Sequence, residues 1–220
     1  MLRESVNATA TAPKDGADPS DPLNNNQALT PKILLKAAVA QEYAPTTALS
    51  TSDMAKLKTL DEILDSRFDN DPRMDTELKD LSPALKERLR SKYSEIPSEK
   101  RNDRGTIVFL LGREINTTKD VEFLQEVLAE RPCLGLESCS QDMRTSGSHA
   151  EGGLEVTLAY PQVVALKSME GFLERADQNG MLRDRTPLVG AVFRSLENGK
   201  SSQVPLVSRM ARELQERYSK

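Results

Sequence analysis

The stretch that decides the fold is RGTIVFLLGREINTTKDVEFLQEVLAE, residues 104–130. Its apolar centre, TIVFLLG at residues 106–112, is ambiguous by itself, because short apolar runs occur both in buried strands and in buried helices. Charged residues lead into the run without a turn before it, which favours a helix. Thr117 and Asp120 then have the spacing of a capping box at the start of a second helix. Apolar residues follow this box at helical spacing: Val121, Leu124, Val127 and Leu128.

Aliphatic residues spaced three and four apart continue on the N-terminal side of this stretch and predict more helices. One stripe starts at Met54, with Ser52 or Asp53 as the residue that caps the helix. A second stripe follows it and contains Ser82-Pro83, a capping residue followed by a first-turn proline. This second stripe predicts either two short helices or one kinked helix.

Three further helical stretches are predicted on the C-terminal side, the first of them over residues 154–176. Pro161 in that stretch is either a kink or a first-turn residue. Aromatic residues make up only 4% of the chain and Trp is absent, so the core consists mainly of aliphatic side chains. Such a core favours packing of helix on helix over a β-sandwich. We therefore predict an all-α fold.

The order of features in residues 104–130 resembles the junction of a HEAT-like or armadillo-type helical repeat. Such repeats have an arginine, an apolar helix ending in Leu-Gly, a polar turn and a second apolar helix with an acidic exit. The corresponding residues here are Arg104, Leu111-Gly112, Asn116-Thr117, Val121 to Leu128, and Glu130. The resemblance implies stacked antiparallel helix pairs, each of which buries its apolar face against the next pair. An irregular helical bundle is the alternative architecture.

The N-terminal part of the chain differs in composition from the rest. Residues 1–50 are rich in Ala, Thr, Pro, Asp and Asn and show almost no aliphatic periodicity, so we expect a disordered tail. Residues 30–43 are an exception and predict a short helix, whose apolar anchors would be Leu34, Leu35 and Val39. A helix of this length is marginal alone in water. We therefore expect it to dock on its own domain, on a second copy of the chain or on a partner protein.

Residues 51–220 are predicted to form the helical domain, interrupted by a long loop at residues 131–153. Cys133 and Cys139 lie in the first half of this loop, six positions apart. That separation allows a disulfide on a turn, and two reduced thiols are the alternative. Because disulfides persist in oxidising compartments, the pair favours a location outside the cytoplasm over a cytoplasmic one. The first residues lack the apolar run of a signal peptide, so the protein either stays in the cytoplasm or has lost a leader.

Residues that could support catalysis are sparse in the sequence. His149, the only histidine, lies in the Gly- and Ser-rich part of the long loop, away from any residue that would orient it as a base. Carboxylate pairs such as Glu77 with Asp80, and Asp61 with Asp65, are typical of a solvated helix face. No phosphate-binding loop, nucleophile elbow or HExxH pattern occurs. The sequence therefore predicts no catalytic residue, no cofactor and no metal site.

The charge pattern indicates which class of molecule the protein binds. The formal net charge is −4, and the 30 basic and 34 acidic residues are interspersed, which does not favour nucleic-acid binding. No apolar run reaches the length of a membrane span. We therefore expect a non-enzymatic interaction scaffold that binds a protein partner, or associates with itself, through its N-terminal segment. An enzyme of unrecognised type and an extracytoplasmic structural or envelope protein are the alternatives.

Overall fold

A computed structural model describes residues 48–68, 70–131, 133, 135, 139 and 156–219. Most of the predicted tail, including Leu34, Leu35 and Val39, and most of the predicted loop, including His149, lie outside the described residues. No strand occurs within the described ranges, so the all-α prediction is confirmed for them. The helices are, in chain order, α1 (Thr51–Ser66), α2 (Arg73–Thr76), α3 (Pro83–Glu95), α4 (Arg101–Gly112), α5 (Thr118–Ala129), α6 (Tyr160–Gln178), α7 (Pro187–Gly199) and α8 (Pro205–Tyr218).

The stretch at residues 104–130 forms α4 and α5, as predicted. Ile107 and Val108, in the ambiguous apolar run, belong to α4 and are fully buried. Thr117 caps α5, and its hydroxyl oxygen accepts a hydrogen bond from the backbone N–H of Asp120 at 3.3 Å. The Asp120 carboxylate accepts in return from the Thr117 N–H at 3.0 Å, which completes the predicted capping box.

The start of α1 corrects one prediction. Ser50, rather than Ser52 or Asp53, is the capping residue, and its hydroxyl oxygen accepts from the Asp53 N–H at 3.0 Å. Asp53 has the reciprocal role, because its carboxylate accepts from the Ser50 N–H at 3.2 Å. The prediction was wrong because an Asp suits the third position of a capping box as well as the cap itself.

The two prolines left open by the sequence both begin helices. Ser82 caps α3 and Pro83 lies in its first turn, so the second aliphatic stripe forms two separate helices, α2 and α3. Pro161 lies in the first turn of α6. Both positions suit proline, because the first turn of a helix leaves the backbone N–H unpaired in any case.

The helices from α4 onward share one aliphatic core. Helix α4 packs along α6, α5 packs along α7, and α8 packs against both α6 and α7. Helix α3 covers α4, and α1 contacts α3. The residues with no measurable exposure include Ile107, Val108, Leu124, Val127, Leu166, Met169, Leu173, Val192, Leu196 and Val207.

Two glycines allow α4 to approach α6 closely. A Cβ atom at Gly105 would overlap the ring of Tyr160, and one at Gly112 would overlap the side chain of Ser168. Both glycines are buried, so a side chain there has no space to turn away. The absence of a side chain at these two positions therefore sets the distance between the two helices.

Candidate functional site

A buried ionic cluster joins α3 to the start of α5. The Asp120 carboxylate, which is 1% exposed, lies 3.1 Å from the ammonium of Lys86 and 2.7 Å from the guanidinium of Arg90. The backbone N–H groups of Asn116 and Thr117 also donate to it, at 3.2 and 3.0 Å. A buried carboxylate needs this many donors, because removing it from water is costly.

The surroundings of Asp120 determine its protonation. Burial alone would raise the pKa of this carboxyl group, but the N–H of Asn116 and the positive charge of Lys86 outweigh burial and lower it below the ordinary aspartate value. Lys86 is itself 7% exposed and also donates to the carbonyl oxygen of Glu114 at 3.0 Å. Asp120 is therefore held ionised near neutral pH, as a structural anion rather than as a proton donor.

A polar groove lies beside this cluster, between α3, α4 and α5. It encloses about 480 Å³ and two of its residues are aromatic, Tyr93 and Phe123. Their rings meet edge to face, with centroids 5.2 Å apart. The lining residues are Arg90, Ser91, Tyr93, Ser94, Arg104, Phe123, Glu126 and Glu130.

Tyr93, Arg104 and Glu130 form a hydrogen-bonded set along the groove. The Tyr93 hydroxyl donates to one Glu130 carboxylate oxygen at 3.0 Å, and Arg104 donates to the other at 2.6 Å. The Arg104 guanidinium also lies over the Tyr93 ring, 4.1 Å from its centroid, as in a cation–π contact. Burial, together with the negative charge of Glu130, raises the pKa of Tyr93, so its hydroxyl stays protonated and continues to donate.

The groove has balanced charge. Arg90 and Arg104 are offset by Glu126 and Glu130, and both arginines already form ion pairs. Their Nε atoms have no hydrogen-bond partner, but they are buried and out of reach of a ligand in this conformation. A phosphate or other polyanion would therefore meet no net positive field in the groove.

The groove also lacks an activated nucleophile among the described residues. The hydroxyls of Ser91 and Ser94 donate to the backbone carbonyl oxygens of Glu87 and Arg90 within their own helix. A serine nucleophile instead needs a base to take its proton. Tyr93, Phe123 and Arg104 are themselves buried, with 4, 5 and 8% of their surface exposed. The accessible edge of the groove is therefore polar and is formed by Ser91, Ser94 and Glu126.

Cys133 and Cys139, for which the sequence left a disulfide and two reduced thiols open, come together. Their Sγ atoms lie at bonding distance, as in a disulfide. The guanidinium of Arg101, at the start of α4, donates to Cys133 Sγ at 2.8 Å and to the carbonyl oxygen of Gly135 at 2.9 Å. Arg101 and Arg104 lie three positions apart on α4. Arg101 contacts Cys133 and Arg104 contacts Glu130, so both hold the chain segment at the end of α5 against α4.

The carboxylate pairs considered in the sequence take part in ordinary surface contacts. Glu77 accepts from the Thr59 hydroxyl at 2.9 Å, and Asp61 pairs with Lys92 at 2.6 Å. Nowhere in the described part of the chain do three or more His, Cys, Asp or Glu side chains lie together so that they could hold a metal ion.

The sequence did not single out the charged residues of this region as a site. Lys86 and Arg90 flank the aliphatic stripe of α3 at a spacing of four, which was the one available signal. Their partner Asp120 lies 34 and 30 positions away in the chain. No local pattern links residues at that separation.

No protein-family model, curated protein or solved structure matches this chain. Within the described ranges, no helix combines the length and the hydropathy needed to cross a membrane.

Proposed function

We propose that this protein is a non-enzymatic interaction scaffold of the HEAT-like helical-repeat type, which binds a protein partner. The observation that carries the proposal is the packing of the helices in matched layers. Helix α4 lies along α6 and α5 along α7, as expected when one helix pair stacks on the next. Stacks of this kind bury one face of each pair and leave the rest of the surface for binding.

The groove between α3, α4 and α5 is the binding surface that this proposal assigns. Tyr93 and Phe123 form its buried floor, and the half-buried Arg90 is of a side-chain type enriched among residues that contribute most to binding. Its balanced charge suits a polypeptide better than a nucleic acid. Ser94 and Glu126 are exposed at its edge, where a partner would contact them.

Capture from an extract of the cells in which the protein occurs tests this assignment. Ser94→Trp fills the groove with a bulky ring on an exposed position, whereas Glu213→Trp places the same ring on an exposed position of α8. We expect capture of the partner to fall at least about tenfold with Ser94→Trp, because a tenfold loss needs only about 1.4 kcal/mol of binding energy. Equal capture by both variants would show that the groove is not the binding surface.

The N-terminal segment is proposed as a second contact, with a partner protein or with another copy of the chain. Its apolar side chains Leu34, Leu35 and Val39 would form the contact face of a helix. Replacing all three by Ser in the full chain should lower the mass measured by light scattering or weaken partner capture. If neither changes, the segment has no role in association.

A second candidate is an extracytoplasmic structural or envelope protein, which the Cys133–Cys139 pair favours. A covalent bridge of this kind persists in an oxidising compartment. Mass spectrometry of the protein from its native cells, prepared without reductant, tests the compartment. A mass lower by two hydrogen atoms than that of the reduced chain supports this candidate, and free thiols in the native protein count against it.

A further inference from the structure

The Cys133–Cys139 bridge is chemically asymmetric. Cys133 is buried, with 7% of its surface exposed, whereas Cys139 is half-buried. The guanidinium of Arg101 lies 2.8 Å from the sulfur of Cys133. We propose that this bridge is a thiol-modification site, at which a low-molecular-weight thiol forms a mixed disulfide with Cys139 while Arg101 stabilises Cys133 as the leaving thiolate.

Access determines which sulfur is attacked. In thiol–disulfide exchange an incoming thiolate must reach one sulfur of the bridge and displace the other. The partly exposed Cys139 is open to such an approach, whereas Cys133 is covered. The attack therefore takes place at Cys139.

Stabilisation of the leaving thiolate also favours attack at Cys139. Exchange is faster when the departing sulfur is a better leaving group, that is, when its thiolate is more stable. An arginine side chain carries a positive charge, and Arg101 is only 9% exposed, so water screens its charge weakly at the sulfur. Arg101 therefore gives the departing Cys133 thiolate a charged donor, which opposes the cost of burying a charged sulfur.

Burial of Cys133 and the nearby carbonyl group of Gly135 favour the neutral thiol instead. The carbonyl oxygen of Gly135 lies 3.4 Å from Cys133 Sγ and could accept a hydrogen bond from a thiol proton. However, Arg101 already donates to this same carbonyl at 2.9 Å. The guanidinium is also closer to the sulfur and carries a full charge, and charge-assisted hydrogen bonds are about twice as strong as neutral ones. Arg101 therefore favours the thiolate more strongly than the Gly135 carbonyl favours the thiol.

The reaction is balanced with the thiol as reductant. The incoming thiolate forms a sulfur–sulfur bond with Cys139, the bond between Cys139 and Cys133 breaks, and Cys133 leaves with the electron pair as a thiolate. A second thiol molecule can then attack the mixed disulfide, which releases the small-molecule disulfide and leaves Cys139 reduced. The protein gains two electrons over both steps, and the two thiols are oxidised to one disulfide.

Reduced glutathione is the probe that tests the proposal on the oxidised full-length protein. The reaction is stopped early with N-ethylmaleimide, because the Cys133 thiolate can attack Cys139 again and restore the bridge. Peptide mass spectrometry then locates both labels. We expect glutathione on Cys139 and maleimide on Cys133, at least about tenfold more abundant than the reverse arrangement.

Variants of Arg101 test the role assigned to the guanidinium. Arg101→Gln should slow formation of the mixed disulfide by about tenfold, the order expected when a charge-assisted hydrogen bond to the leaving group is lost. Arg101→Lys should retain more of the rate because it keeps the positive charge. Arg194→Gln, at an exposed position of α7, is the matched control and should react at the wild-type rate.

Three results would overturn the proposal. The first is that Cys133 carries as much glutathione as Cys139 or more. The second is that a folded Arg101→Gln protein forms the mixed disulfide at the wild-type rate. The third is that no mixed disulfide forms at any glutathione concentration. Circular dichroism shows whether Arg101→Gln is folded. If it is not, the position of the label in the wild-type protein still decides between the two sulfurs.

Discussion

Asp120 shows how one residue can hold two helices in place. Its carboxylate completes the capping box of α5 and also pairs with Lys86 and Arg90 of α3. A buried ion pair adds little stability compared with well-packed apolar side chains, but loss of one partner leaves the other charge buried and unpaired. The cluster is therefore sensitive to single substitutions, and it specifies where α3 lies against α5.

Replacing Asp120 tests this sensitivity. Asp120→Asn should lower the free energy of unfolding by about 3–5 kcal/mol, because Lys86 and Arg90 lose their shared anion. Asp61→Asn, which breaks an exposed pair with Lys92, is the matched control and should cost less than about 1 kcal/mol. Urea unfolding at neutral pH, followed by circular dichroism, measures both. Similar small losses in the two variants would contradict the role of the cluster.

The lowered pKa of Asp120 predicts a pH dependence of stability. A carboxyl group whose pKa is lower in the folded state contributes stability above its unfolded pKa, and this contribution is lost as pH falls through the folded pKa. The ordinary aspartate value is 3.8, so the contribution should be complete above about pH 5 and decline below pH 4. Unfolding midpoints between pH 2 and 6 should therefore fall more steeply for the wild type than for Asp120→Asn. Parallel curves would show that Asp120 does not titrate as described.

The sequence predicted contacts between residues that are close in the chain, and it missed contacts between residues that are far apart in the chain. The Thr117–Asp120 capping box could be predicted because both partners lie within one helical turn. The same carboxylate also binds Lys86, 34 positions earlier, which only the packing of α3 against α5 brings near. The groove was missed for the same reason, since Tyr93, Arg104 and Glu130 meet only after folding.

At the scale of the elements, the contact between α4 and α6 depends on small residues at the crossing. Gly112 lies against Ser168, and a Cβ atom on the glycine would overlap the serine side chain. The sequence predicted both helices from their aliphatic stripes. It could not predict that these two would pack together, because the partner of each glycine is more than 50 positions away.

A double-mutant cycle tests this crossing. Gly112→Ala should destabilise the protein by about 1–3 kcal/mol through overpacking, although alanine is the better helix former. Ser168→Gly removes the obstructing side chain, so the double variant should be less destabilised than the sum of the two single variants. Gly190→Ala in α7 is the control, because its nearest neighbour would be the flexible end of Arg194 at 3.5 Å. That control should be neutral or more stable by up to about 1 kcal/mol.

Additive effects in the cycle would contradict the close approach of α4 and α6. The measurement is again the free energy of unfolding in urea, and the same slope for all four proteins is needed for the comparison.

At the scale of the whole molecule, the helix pair α4–α5 packs on the pair α6–α7, and α8 covers the latter. The aliphatic side chains of all these helices belong to one core. The proposed binding groove lies on the side where α3 joins α4 and α5, so its geometry depends on this stack remaining intact. The pairs are therefore expected to unfold together rather than one after the other.

Native-state hydrogen exchange tests the stack most directly. The slowest amides of α4, α5, α6 and α7 should exchange with one common free energy of opening, equal to that of global unfolding, and should respond equally to low concentrations of urea. If α4 and α5 open at distinctly lower free energy while α6 and α7 stay protected, the two pairs do not form one stacked core.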